Sequence, residues 1–225
     1  FDPKVLQKEN TLKGLNAMML DLIEERKLIG VSLKKIESGN GRISRKNFPK
    51  DPKLTKATFR GTSSTLDAMD GYINWGGQKN ERIQFRSFGD GEGLTGWQGE
   101  IKGASANQGK ISLGPLNFLL KEYGVGELPS SKDSAALAKE NSVSHAGTIA
   151  KLMVEYGMIK NNEIDTAITT IQGRPTKYRY SKYLVLLLLN KMKKMKKDTA
   201  DNLTQDMYLY ASSQSSFSAP YLKLE

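Results

Sequence analysis

Between Asp70 and Lys102 three strand-length segments, Asp70-Gly71-Tyr72-Ile73-Asn74-Trp75, Arg82–Phe88 and Trp97–Lys102, are separated by Gly76-Gly77-Gln78-Lys79-Asn80 and Gly89-Asp90-Gly91-Glu92-Gly93. Connections this short and this rich in Gly, Asn and Asp turn the chain back on itself, so consecutive antiparallel pairing is predicted. Side chains alternate across a pleated strand, which places Gln98, Glu100 and Lys102 on one face and Trp97, Gly99 and Ile101 on the other. A meander with one polar face follows.

Before the meander, Leu12, Leu15, Met19, Leu22 and Ile23 recur at helical spacing, with Asn10 or Thr11 available as a cap. Leu28–Ile36 then reads as a strand, and the stretch 38–60, broken by Gly39, Gly41, Pro49 and Pro52, reads as a long basic surface loop. After Gly103 the pattern becomes helical: Pro115–Tyr123, Ser134–Asn141, His145–Tyr156, Asn162–Ile171, Ser181–Lys197 and Thr199–Tyr210. A soft Ser212–Ser216 linker leads to an apolar tail, Phe217–Leu224. The expected fold class is α+β, a mixed, largely antiparallel sheet flanked by helices, divided into a β-rich core at 1–114 and a helical C-terminal region at 115–225.

The chain has 225 residues and no cysteine, which excludes disulfides, thiolate metal sites and cysteine nucleophiles together. Its single histidine, His145, reads as a polar residue near a helix start in Ser142-Val143-Ser144-His145, not as the centre of a serine–histidine relay. The longest apolar run, Leu184–Leu189, is far shorter than the roughly 20 residues a membrane helix needs, so no membrane partner is expected. The start, Phe1-Asp2-Pro3-Lys4, has no initiator methionine and no apolar signal region, and reads as a trimmed beginning.

The net charge of +10 is unevenly distributed. One cationic block runs from Lys34 to Arg60 and includes Arg42, Arg45 and Lys46; another runs from Arg174 to Lys197 and includes Lys177 and Arg179. Each Lys or Arg that neutralises a phosphate releases a condensed counterion, so two such blocks are the footprint expected of a protein that grips nucleic acid. Tyr178, Tyr180 and Tyr183, interleaved with the second block, are placed to pack on sugars or bases. Arg86 on the second meander strand and Lys110, which ends a small-residue loop from Gly103, complete the expected binding set.

An aspartate heading one strand, Asp70, with Glu100-Ile101-Lys102 on another, resembles the restriction-endonuclease-like or PD-(D/E)XK nucleases. The resemblance implies a mixed sheet flanked by helices, Mg²⁺ held by Asp70 and Glu100, and Lys102 assisting the attacking water. A rival placement is Gly30-Val31-Ser32-Leu33-Lys34, which looks like the variant in which serine precedes the catalytic lysine, here Lys34. The segments Gly30–Ile36, Ile83–Phe88 and Trp97–Ile111 also look like proteins of large bacteriophages and other DNA viruses. The expectation is a nucleic-acid-binding protein, DNA favoured, acting as a Mg²⁺-dependent nuclease in a host cytoplasm or a virion. Its alternative is a non-catalytic member of a viral protein assembly serving packaging or transcription.

Overall fold

A computed structural model of the protein describes residues 11–33, 43–46, 56–76, 81–88, 94, 96–102, 109–212 and 219–224. The elements, in chain order, are α1 (Leu12–Glu24), β1 (Val31–Leu33), β2 (Ile43–Lys46), β3 (Phe59–Ser64), β4 (Gly71–Trp75), β5 (Arg82–Ser87), β6 (Trp97–Lys102), β7 (Lys110–Ser112), α2 (Leu113–Glu122), α3 (Ser131–Glu140), α4 (Val143–Tyr156), α5 (Ile164–Gly173), α6 (Thr176–Lys194), α7 (Lys197–Ala211) and β8 (Tyr221–Leu224). The class is α+β. Two compact units divide the chain, residues 1–55 with 209–225, and residues 56–208, so no boundary falls at the expected 114/115.

In the first unit, Thr11 Oγ1 accepts the Gly14 N–H at 3.0 Å and caps α1. A small sheet has the order β1-β8-β2, with β8 parallel to β1 and antiparallel to β2. Tyr221–Leu224 of the apolar tail is thus the central strand, and part of the predicted basic loop, Ile43–Lys46, is one of its partners.

In the second unit, β3-β4-β5-β6-β7 form a five-stranded sheet that is antiparallel throughout. The expected meander is present, extended by β3 and β7, while the mixed pattern implied by the nuclease resemblance is absent from this sheet. Its inner face, with Ile73, Trp75, Ile83, Phe85, Trp97, Ile101 and Ile111, is buried. Helix α6 packs across β3, β4 and β5. Close approach depends on Gly71, where an added Cβ would lie 2.3 Å from Val185 Cγ1. On its other side, α6 sends Leu186 into a cluster with Ile149, Met153 and Ile171 of α4 and α5. A helix apolar on most of its circumference is an interior helix, and Leu184, Leu188 and Leu189 are fully buried.

Helices α3 and α4 start earlier than periodicity predicts because side-chain caps set their first residues. Ser130 Oγ accepts the Asp133 N–H and Ser142 Oγ accepts the His145 N–H, each at 3.1 Å. Such caps stabilise by about 1 kcal/mol each. His145 stands at a helix start as expected; burial and then Arg179 push its imidazole below the usual value, with Glu140 opposing them. Helix α6 begins five residues before the predicted Ser181, directly after Pro175, whose φ of −56° suits a helix entry. Among the described residues no helix is long and apolar enough to cross a membrane.

Candidate functional site

Strand alternation turns the polar residues of the meander onto the outer face of the sheet. The central row runs Tyr72, Gln84, Glu100, Lys110 across four strands. One flanking row holds Asn74, Arg82 and Lys102, and the other Arg86, Gln98 and Ser112. Rows lie about 7 Å apart, two residues along a strand.

Asp70 joins this face from just before β4. Its Oδ2 accepts from Gln84 Nε2 and, at 3.3 Å, from the Tyr72 hydroxyl. Gln84 therefore stands between the two carboxylates, bonded to Asp70 and directly opposite Glu100. Glu100 Oε2 pairs with Lys102 Nζ at 2.9 Å, while Oε1 faces Lys110 Nζ at 3.5 Å and accepts from Gln98 Nε2 at 3.2 Å. Burial pushes the Glu100 carboxyl up, but Lys102 and then Lys110 outweigh it and hold the group below the usual carboxylate range. For Tyr72, burial and Asp70 together raise the phenol above its ordinary value.

Arg82 lies over the Tyr72 ring, 4.1 Å from its centroid, and Arg86 over Phe88 at 4.5 Å. Their Nε atoms are buried without a hydrogen-bond partner, and neither guanidinium has an acid within salt-bridge distance among the described residues. The face thus carries four cations, Arg82, Arg86, Lys102 and Lys110, against Asp70 and Glu100.

A second network, not anticipated from the sequence, fixes Asp70 from behind. Lys182 is wholly buried; its Nζ donates to Ser64 Oγ at 2.8 Å and to the carbonyls of Thr65 and Ala68. Ser64 Oγ donates in turn to the Asp70 carbonyl at 2.6 Å. Ser181 Oγ donates to the Met69 carbonyl at 3.2 Å and accepts the Ser87 N–H at 3.1 Å, and the Tyr178 hydroxyl donates to Leu66 O. One face of α6 thus satisfies the carbonyls of Thr65, Leu66, Ala68 and Met69, in a segment with few backbone partners of its own. The available signal was a lysine four residues after Tyr178 on a stripe that continues into Val185, a cation inside an otherwise buried pattern.

The structure brings Asp70, Glu100, Lys102, Arg86 and Lys110 to one face and places Arg174, Lys177 and Arg179 around the start of α6. Arg179 is 4% exposed and donates to the carbonyls of Ala138, Gln172 and Arg174 and to Thr176 Oγ1, so it joins helix ends instead of facing a phosphate. Tyr178 and Tyr180 are buried and Tyr183 packs beside His145, which makes these tyrosines core residues instead of a stacking surface. Arg174 pairs with Asp67, and Lys177 is half-buried. Arg45 is exposed and Lys46 half-buried on β2. Lys34, Arg42 and the Gly103–Gln108 loop lie outside the described residues.

Two carboxylates on neighbouring parts of one sheet are hard oxygen donors of the kind Mg²⁺ takes. As arranged, both Glu100 oxygens face ammonium groups and Asp70 Oδ2 is held by Gln84 and Tyr72. The described residues contain no group of three or more His, Cys, Asp or Glu suited to a metal. To hold a divalent ion, Asp70 and Glu100 would have to release these partners. No protein-family model, curated protein or solved structure matches the chain.

Proposed function

We propose that this protein binds nucleic acid, DNA foremost, with the outer face of its five-stranded sheet. The observation that carries this reading is the set of Arg82, Arg86, Lys102 and Lys110 on adjoining rows of one face, with neither arginine in an ion pair among the described residues. A guanidinium without an acid partner can pair with a phosphate, which supplies charge and oxygens together. Asp70 and Glu100 keep the face from being uniformly positive and orient Gln84, Lys102 and Lys110 by hydrogen bonds and ion pairs. A non-catalytic role in a virion, packaging or transcription assembly would use this same face.

Fluorescence anisotropy with a labelled DNA duplex across a salt series tests it. Replacing both Arg82 and Arg86 by Ala should weaken binding and lower the slope of log affinity against log salt by about two, roughly one for each phosphate no longer neutralised. An unchanged slope and affinity would remove the sheet face as the binding surface.

Metal-dependent cleavage is the second reading, favoured by one observation: Asp70, Glu100 and Lys102 share the face. Its test is incubation of plasmid and single-stranded DNA with Mg²⁺ or Mn²⁺. Cleavage abolished by Glu100→Ala and Lys102→Ala supports it; intact substrate with the wild-type protein leaves binding alone.

A further inference from the structure

Beside the edge strand β3, and apart from the outer sheet face, a cleft of about 460 Å³ opens between β3, the end of α6 and the start of α7. Phe59, Arg60, Lys193 and Lys197 line it over an apolar floor that includes Met192 and Met195. Its volume lies within the range of about 300 to 1,000 Å³ typical of small-molecule sites.

The backbone of β3 is bent here. Phe59 pairs with Trp75 and Gly61 with Asn74, so Arg60 is an extra residue without a partner across the strand, a β-bulge. Gly61 has φ +115° and nothing within 4 Å of an added Cβ, so glycine serves the backbone conformation there and not a close approach. Bulges of this kind re-aim a side chain, and this one accompanies Arg60 in the cleft wall. Asp201 joins the two sides: Oδ1 accepts the Phe59 N–H at 3.0 Å and Oδ2 accepts from Lys197 at 2.7 Å. Lys193 donates to the Tyr156 carbonyl at 2.6 Å with its ammonium over the Tyr156 ring, which leaves two of its three donors for other acceptors. An aromatic wall, an apolar floor and three cations balanced by one close acid make a combination that neither a simple anion nor a simple hydrophobe uses fully.

We propose that this cleft holds a single unpaired nucleotide, its base against Phe59 and the apolar floor, its phosphate against Arg60, Lys193 and Lys197. The ligand is either a free mononucleotide or one unit of a single strand. Every base has a π face, so the stacking tolerates sequence, and a base stacked in a duplex cannot enter.

The test uses the full chain, a labelled oligothymidylate, a duplex of equal length, thymidine 5′-monophosphate and inorganic phosphate. Phe59→Leu should lower single-strand affinity between about fivefold and a hundredfold while duplex affinity holds. Arg60→Ala and Lys193→Ala alter exposed side chains and so test the site without disturbing the core; each should weaken the single strand and reduce its salt slope. Competition by the mononucleotide at concentrations comparable to the oligonucleotide identifies free nucleotide as the ligand, whereas much tighter binding of the oligonucleotide identifies the strand. The proposal fails if the two exposed variants bind the single strand as wild type does, if single strand and duplex weaken together, or if inorganic phosphate competes as well as the nucleotide. Arg82 and Arg86 are untouched in these variants, so failure here is distinguishable from failure of the sheet face.

Discussion

The inner and outer faces of the five-stranded sheet are made by the same strands, yet they treat charge in opposite ways. Ile73, Ile83, Phe85, Ile101 and Ile111 are at most 3% exposed on the inner side, and the one cation reaching that side from α6, Lys182, has its ammonium surrounded by oxygen acceptors. On the outer side Tyr72, Arg82, Glu100 and Lys102 are half-buried, and neither Arg82 nor Arg86 has an ion-pair partner among the described residues. A buried charge must find its partners within the fold, whereas a face open to another molecule can leave a charge to be paired on binding. A cation that the fold saturates thus acts as architecture, and a cation that it leaves without an acid is where binding should be sought.

That contrast can be broken first from the inside. Phe85→Ala removes a fully buried ring that stacks on Trp97 with centroids 5.5 Å apart. Equilibrium denaturation should show a loss of about 3 to 5 kcal/mol. A loss below about 1 kcal/mol would mean that the inner face is not the core of the unit.

Lys182→Met is the next in size. It leaves the Thr65 and Ala68 carbonyls and Ser64 Oγ without their donor, at a cost of about 1 to 3 kcal/mol. Burial draws the Lys182 ammonium down to about 8, against the opposing pull of Asp70 and Asp67. A folded-state value below the unfolded one means that the unfolded chain binds more protons between the two. Stability referable to Lys182 should therefore rise as pH increases from about 8 toward the ordinary lysine value of 10.5, and be lost as pH falls through about 8. Unfolding curves across that window check the sign, and Lys182→Met should flatten the dependence. Loosening of Asp70 should also weaken DNA binding by the outer face, a readout that a packing defect remote from that face would leave alone.

The smallest effect concerns the outer side. Glu100→Gln removes a partly exposed ion pair with Lys102, and stability should fall by only about 0.2 to 1 kcal/mol. Its lowered carboxyl contributes stability that is present above the ordinary value of 4.5 and lost as pH falls through the lowered one, so the variant should lose less stability on acidification than wild type. If the face grips phosphates, freeing Lys102 and Lys110 from Glu100 should tighten DNA binding. A Glu100→Gln protein that binds DNA more weakly, or one that abolishes a Mg²⁺-dependent cleavage, would turn the contrast toward the catalytic reading.

Much of the sheet was legible without coordinates. Alternation and turn residues placed β4, β5 and β6 within a residue of their observed bounds, because adjacent antiparallel strands joined by short turns are local structures. The same alternation put Glu100 and Lys102 on one face, and the register added Lys110 directly opposite Glu100. Two kinds of information were absent. Strand β8 joins β1 and β2 from nearly the whole chain length away, and no local pattern in Tyr221–Leu224 specifies which edges it pairs with. The fates of Arg179 and Lys182 were equally hidden, since both sit in a cationic stretch that reads as solvated surface. What receives their donors is a set of carbonyls at 65, 68, 138, 172 and 174, oriented only once strands and helices have assembled. Sequence by itself determined where the chain alternates, turns and carries charge, because these depend on neighbours along the backbone. Tertiary structure alone decided which charges are sealed inside and which remain available, because that depends on acceptors delivered from distant segments.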